Sequence, residues 1–109
     1  MEIIAGAGVF VPGAVNYVPQ FASEDLSVGT YSLPVGGFDD QHPHAEDEIY
    51  VVQTGRATVV TPSGRAAAGP GTVIFVPAGE AHQFVDITED LALLVFFAPP
   101  YGSRARPDA

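Results

Sequence analysis

The chain contains no cysteine and no lysine. Without cysteine there is no thiolate to serve as nucleophile or soft metal ligand, and no disulfide to staple the fold. Without lysine there is no amine for Schiff-base chemistry. Positive charge is scarce altogether: four arginines stand against thirteen acidic residues, a formal net charge of −9. A surface of that sign repels a phosphate backbone, so nucleic acid is not expected as a partner. Long hydrophobic runs are missing too. The longest, Leu91 to Pro100, falls well short of a bilayer span, so no membrane insertion is expected. The apolar start, Met1 to Val15, carries Glu2 where a secretory signal would be basic. It reads as mature sequence, and a soluble, cytoplasmic protein is expected. The remaining chemistry must come from histidine, carboxylate and hydroxyl groups.

What is present is enough for one folded unit. Of 109 residues, 47% are hydrophobic and 16% charged, so apolar burial can offset chain entropy, and the length suits a single domain over residues 1–109. Twelve glycines and ten prolines fall between short apolar runs, the pattern of many turns and many short strands. No stretch sustains a 3.6-residue period, so the expected class is all-β. Strands are predicted at Val15–Pro19, Leu26–Leu33, His42–His44, Glu48–Thr54, Ala57–Thr61, Arg65–Ala68, Thr72–Val76, His82–Ile87 and Leu91–Phe97. Tight connections are expected at Thr54–Arg56, Pro62–Gly64 and Gly69–Gly71, which implies antiparallel neighbours in a sandwich or closed barrel. Residues 100–109 lack a periodic pattern and are expected to form a flexible tail.

All three histidines lie in two stretches, HPHAEDEIYVV from His42 and VPAGEAHQFVD from Val76. In a strand, residues two apart share a face, so His42 and His44 are expected to point to one interior place. Glu48, opening the next strand, and His82, after Pro77 to Gly79, can join them. Three imidazoles and one carboxylate suit one divalent Fe, Mn, Ni, Cu or Zn ion better than calcium or magnesium. Taken singly, each histidine is more often a solvated or turn residue. As a set on β faces they need a partner, and a metal supplies it.

With these residues in place, the sequence resembles the cupin superfamily, in the compact single-domain bacterial form. Gly36, His42, His44, Glu48 and Gly55 match its first motif throughout. Gly71, Pro77, Gly79 and His82 match the second, where Asp86 replaces the usual asparagine and Thr72 the usual acidic residue. The matched core runs from Gly36 to Asp86. The resemblance implies a double-stranded β-helix, or jelly-roll barrel, a metal held inside it by His42, His44, Glu48 and His82, and subunits paired as homodimers.

Cupins include oxygenases, isomerases, lyases and non-enzymatic binders. The leading expectation is a metal-dependent, dioxygenase-like oxidoreductase acting on a small organic molecule. The alternatives are redox-neutral isomerase, lyase or hydrolase chemistry, and a small-molecule-binding barrel without catalysis. Glu48 and Tyr50 are the candidate catalytic groups, with Glu80 a further helper. Phe84 and Asp86, sharing the predicted face of His82, are candidate substrate-pocket residues. Phe38, Phe75 and Phe96 could extend an apolar lining, although core packing explains such residues equally well. Arg56 and Arg65 are expected in surface turns.

Overall fold

The computed structural model describes residues 1–104, and among them every regular element is a strand: β1 Asn16–Ala22, β2 Ser27–Leu33, β3 Asp47–Thr61, β4 Gly64–Ala68, β5 Val73–Val76 and β6 Gln83–Ala98. All pairings are antiparallel, in the order β1-β2-β6-β3-β4. β5 joins the same edge of β3 as β4, facing Glu48–Val51 while β4 faces Ala57–Thr61. This is the all-β jelly-roll arrangement expected. No helix of the described residues is long and apolar enough to cross a membrane.

Two long strands replace four of the predicted short ones. β3 runs unbroken through the connection expected at Thr54–Arg56, because the chain there forms a bulge and not a loop. The pairing register shifts between Val52 and Thr58, and the buried parity changes from Glu48, Tyr50 and Val52 to Gly55, Ala57 and Val59. Gly55 carries the bend with a φ of 90°, and a Cβ there would collide with the Asp90 carbonyl oxygen, so no side chain fits. β6 changes parity in the same way, from Phe84 to Ile87, Leu91, Leu93, Val95 and Phe97. Its pivot is Asp86 at a φ of 50°, a left-handed conformation that aspartate and asparagine tolerate better than most residues. The bent strands bury a core that includes Leu33, Val52, Leu91 and Leu93, all within 1% of full burial.

The turns at Pro62–Gly64 and Gly69–Gly71 stand where expected. The segment His42–His44 is not a strand. Of the tail expected from residue 100, residues 100–104 are held against the barrel. The Tyr101 amide donates to Ser27 Oγ, the Arg104 amide to Glu46 Oε2 and its guanidinium to the Ala45 carbonyl. Residues 105–109 lie outside the described residues.

Candidate metal centre

Three elements converge on the upper interior of the barrel. Glu48 and Tyr50 project from the inner face of β3, beside Phe97 and Val95 of β6. His44 lies in the loop before β3. His82 directly precedes β6, after a turn in which the Glu80 amide donates to the Pro77 carbonyl and Gly79 takes a φ of 83°. The Gly79 amide donates to the His44 carbonyl at 2.7 Å and the Ala78 amide to Asp47 Oδ1 at 2.9 Å, which stitches the two histidine-bearing loops together.

The result is a compact donor group: ligand atoms of His44, Glu48 and His82 all lie within 4.8 Å of one another. His82 is oriented from behind. Its Nδ1 lies 2.9 Å from the Glu80 carbonyl oxygen, which only accepts, so Nδ1 carries the proton and the neutral ring turns its Nε2 lone pair inward. That nitrogen meets Tyr50 Oη at 3.0 Å, Gln41 Oε1 at 3.1 Å and Glu48 Oε1 at 3.1 Å. Glu48 Oε1 is at ion-pair distance from Nε2 but is not aligned as a hydrogen bond, and it accepts no hydrogen bond from any other group. A buried carboxylate oxygen facing an imidazole lone pair demands a positive charge between or upon them. A proton on His82 is one solution; a divalent ion shared by His44, Glu48 and His82 is the other, and the donor set is chemically suited to it.

A second ring of polar groups holds the first. Tyr50 donates to Gln41 Oε1 at 2.9 Å, and Gln41 Nε2 donates to Asp39 Oδ2 at 2.8 Å. Asp39, 1% exposed, also accepts from Tyr31 Oη at 2.6 Å and from the Phe84 amide at 2.8 Å. Burial, followed by the negative charge of Glu48 and contact with it, pushes the Tyr50 hydroxyl well above its ordinary pKa despite the opposing effect of Gln41, so it stays protonated. For His82, burial alone would lower the pKa. Contact with the Glu48 carboxylate and the Glu80 carbonyl, together with the negative charges of Glu48 and Asp39, outweighs burial and raises it.

Beside the donor group is a cavity of about 110 Å³. Its walls include all four tyrosines of the chain, Tyr17, Tyr31, Tyr50 and Tyr101, with Val95 and Phe97 between them and Gln41, His44 and Glu48 at the polar end.

Of the four residues expected around a metal, the structure brings three together. His42 is exposed and faces a separate open hollow of about 520 Å³, on the far side of Gln41 and His82. The alternation that would turn it inward requires an extended strand, and residues 38–46 are not one; Gln41 points inward instead. Phe84 is buried but packs edge-on beneath Tyr50, with ring centroids 5.0 Å apart, and does not line the cavity. Asp86, expected at the pocket, does not line the cavity: the left-handed turn at this residue moves its carboxylate to the surface, where it meets Arg65 at 3.2 Å. Phe38, Phe75 and Phe96 are likewise on the outside, because they occupy outward positions or the loop. Glu80 contributes its backbone carbonyl. Arg65 lies in β4, and Arg56 lies in β3, where it pairs with Glu89 at 3.4 Å.

Asp39, Gln41, Tyr17, Tyr31 and Tyr101 also stand at the site, none of them expected there from the sequence. The legible signal was modest: Asp39 and Gln41 are spaced by two within the five-residue gap of the first motif, and Tyr31 shares the face of the buried Leu33.

The family model for the cupin domain matches residues 29–97. The chain belongs to the cupin domain family. An uncharacterized protein of Streptomyces coelicolor is 44% identical over 84 residues, covering 77% of this chain and 80% of that one. Among solved structures, TT1209 of Thermus thermophilus superposes with a TM-score of 0.75 at 26% identity, covering 92% of this chain and 97% of that one. The DMSP lyase DddQ of Ruegeria pomeroyi shares the fold, with a TM-score of 0.74 at 23% identity over 85% of this chain and 49% of its own.

Two predictions follow from this geometry. His82→Ala and Glu48→Gln are expected to lower affinity for Zn(II) or Co(II) at least about a hundredfold by isothermal titration, as loss of a ligand requires. The three-residue group predicts that His42→Ala keeps near wild-type affinity; an equal loss there would mean that residues 38–44 rearrange around the ion. The second concerns pH. The folded His82 pKa is raised above its ordinary 6.5, so in metal-free protein the protonated His82–Glu48 pair stabilises fully below that value. That contribution is lost as pH rises through the folded pKa. A metal competes with the same proton, so the increase in thermal midpoint on adding Zn(II) is expected to grow from about pH 5.5 to about pH 8. A constant increase across that range would contradict it.

Proposed function

We propose that the protein is a metal-dependent enzyme that acts on a small organic molecule by proton movement without net oxidation. The observation that carries this reading is Tyr50: a hydroxyl kept protonated by burial and by Glu48, 3.0 Å from His82 Nε2 and on the wall of the cavity. When bound, the divalent ion would supply Lewis-acid polarisation of a substrate oxygen. The Tyr50 proton rests on Gln41 Oε1 in this structure, and rotation of the hydroxyl would turn it to negative charge developing on the substrate oxygen, first as a hydrogen bond and then by transfer. Gln41, fixed by Asp39, holds the Tyr50 hydroxyl in place; Glu80 fixes the tautomer of His82; the aromatic walls exclude water. The dioxygenase-like reaction expected from the sequence uses the same donor set but has no equivalent of the Tyr50 observation in its favour.

On a panel of small carbonyl- and carboxylate-bearing compounds, turnover is expected to be equal in air and under anaerobic conditions. Tyr50→Phe is expected to lower kcat about a hundredfold or more with KM little changed. Oxygen uptake stoichiometric with turnover would establish the oxidative reaction instead.

A homodimer is proposed as the working form. Its support is a row of cross-strand partners on the outer face, Phe75, Ile49 and Phe96, which are 58%, 38% and 36% exposed. None of the three is charged, on a chain of net charge −9, and an isologous contact would match the row with itself. Phe75→Glu is expected to convert a dimer to a monomer in light scattering; a monomeric wild type would refute the assembly.

A further inference from the structure

Among the described residues, three buried side-chain polar atoms have no hydrogen-bond partner: Asn16 Oδ1, Tyr17 Oη and Glu48 Oε1. Tyr17 and Glu48 line the same cavity. The metal reading accounts for Glu48 and leaves Tyr17 unexplained. An unpartnered buried hydroxyl costs on the order of 1–3 kcal/mol, so its persistence points to a group that arrives from outside the chain.

The placement of Tyr17 is built. Its ring stands edge-on to Tyr31 and Phe97, with centroids 6.5 and 6.4 Å away, and tilted against Tyr101 at 5.7 Å. Its hydroxyl end lies over Gly29, where a Cβ would overlap it, so β2 is hollowed at that position to admit the phenol. The neighbouring hydroxyls are satisfied internally, Tyr31 by Asp39 and Tyr50 by Gln41. Burial, then the electrostatic effects of Tyr101 and Glu48, raises the Tyr17 pKa to about 12, so the hydroxyl carries its proton and can donate.

We propose that Tyr17 is a substrate-binding residue that donates a hydrogen bond to one oxygen of a small monocarboxylate whose other oxygen meets the metal. The inference rests on the metal reading given above. Three observations select the carboxylate. Tyr17 lines one cavity of about 110 Å³ together with His44 and Glu48 of the donor group, so a single small ligand is the simplest occupant that would meet both. The charge of the buried Asp39 is taken up by its three donors, Tyr31, Gln41 and the Phe84 amide, so a divalent ion bound through Glu48 alone retains one positive charge, which a monoanion neutralises in a buried site. No arginine lines the cavity among the described residues and the chain has no lysine, so nothing is provided for a phosphate or a second carboxylate. The remaining wall, Val95, Phe97 and the tyrosine rings, suits an apolar body of a few carbon atoms.

The test uses Co(II)-loaded protein, with acetate as probe and the cobalt visible absorption as readout. Tyr17→Phe is expected to bind Co(II) with unchanged stoichiometry and to weaken acetate about five- to tenfold. Fluoride, a single-atom ligand with no second oxygen to offer Tyr17, is expected to bind both proteins alike. Unchanged acetate affinity, or equal weakening of fluoride, would overturn the assignment of Tyr17 while leaving the metal site intact. Failure of the wild type to bind Co(II) would overturn the metal reading itself, and this inference with it.

Discussion

Glu48 Oε1 sits 3.1 Å from His82 Nε2, at side-chain exposures of 2% and 1%, with no hydrogen-bond donor directed at it. A folded domain of this size has only on the order of 5–15 kcal/mol of net stability, and an uncompensated buried carboxylate would consume several of these. The positive charge that this pair requires is therefore a constraint on the whole molecule. The elements around it serve to hold it in register: the long β3 delivers Glu48 and Tyr50 two residues apart on one inward face, and the Gly79–His44 backbone bond draws His82 across from the second loop. The Asp39–Gln41–Tyr50 chain locks the remaining wall.

The same geometry ties the function to the fold. Every tyrosine of the chain faces the cavity beside the pair, yet they are not equivalent. Tyr31 is fastened to Asp39 and shapes the wall, Tyr50 stands against the donor group with its proton retained, and Tyr17 has a free hydroxyl above a glycine that makes room for it. A barrel with an apolar, aromatic interior and one charged end can orient a small molecule with few groups, which is consistent with a chain poor in arginine and lacking lysine.

Much of this was legible in the sequence. Period-two alternation gave the strands and the all-β class, and the motif spacing placed His44, Glu48 and His82 near one another. The in-and-out alternation of side chains breaks where the chain leaves ideal extension. At Asp86 a left-handed residue moves the following side chains by one face, so Asp86 lies outside with Arg65 and Ile87 lies inside. At His42 the alternation has no strand to act on, and Gln41 takes the inward place. Gly55 reads as a turn by composition, but its bulge lets β3 continue. Contacts between distant segments, such as Asp39 with Tyr31 and Phe84 or Tyr101 with Tyr17, have no local signature, because they depend on how the bent strands close.

The most direct measurement is the anomalous diffraction signal of crystals grown with Zn(II) or Co(II). The account predicts one ion inside the barrel, bonded at about 2.0–2.2 Å to His44, Glu48 and His82 Nε2. An ion found only among surface carboxylates, with the interior pair closed upon a protonated His82, would contradict it.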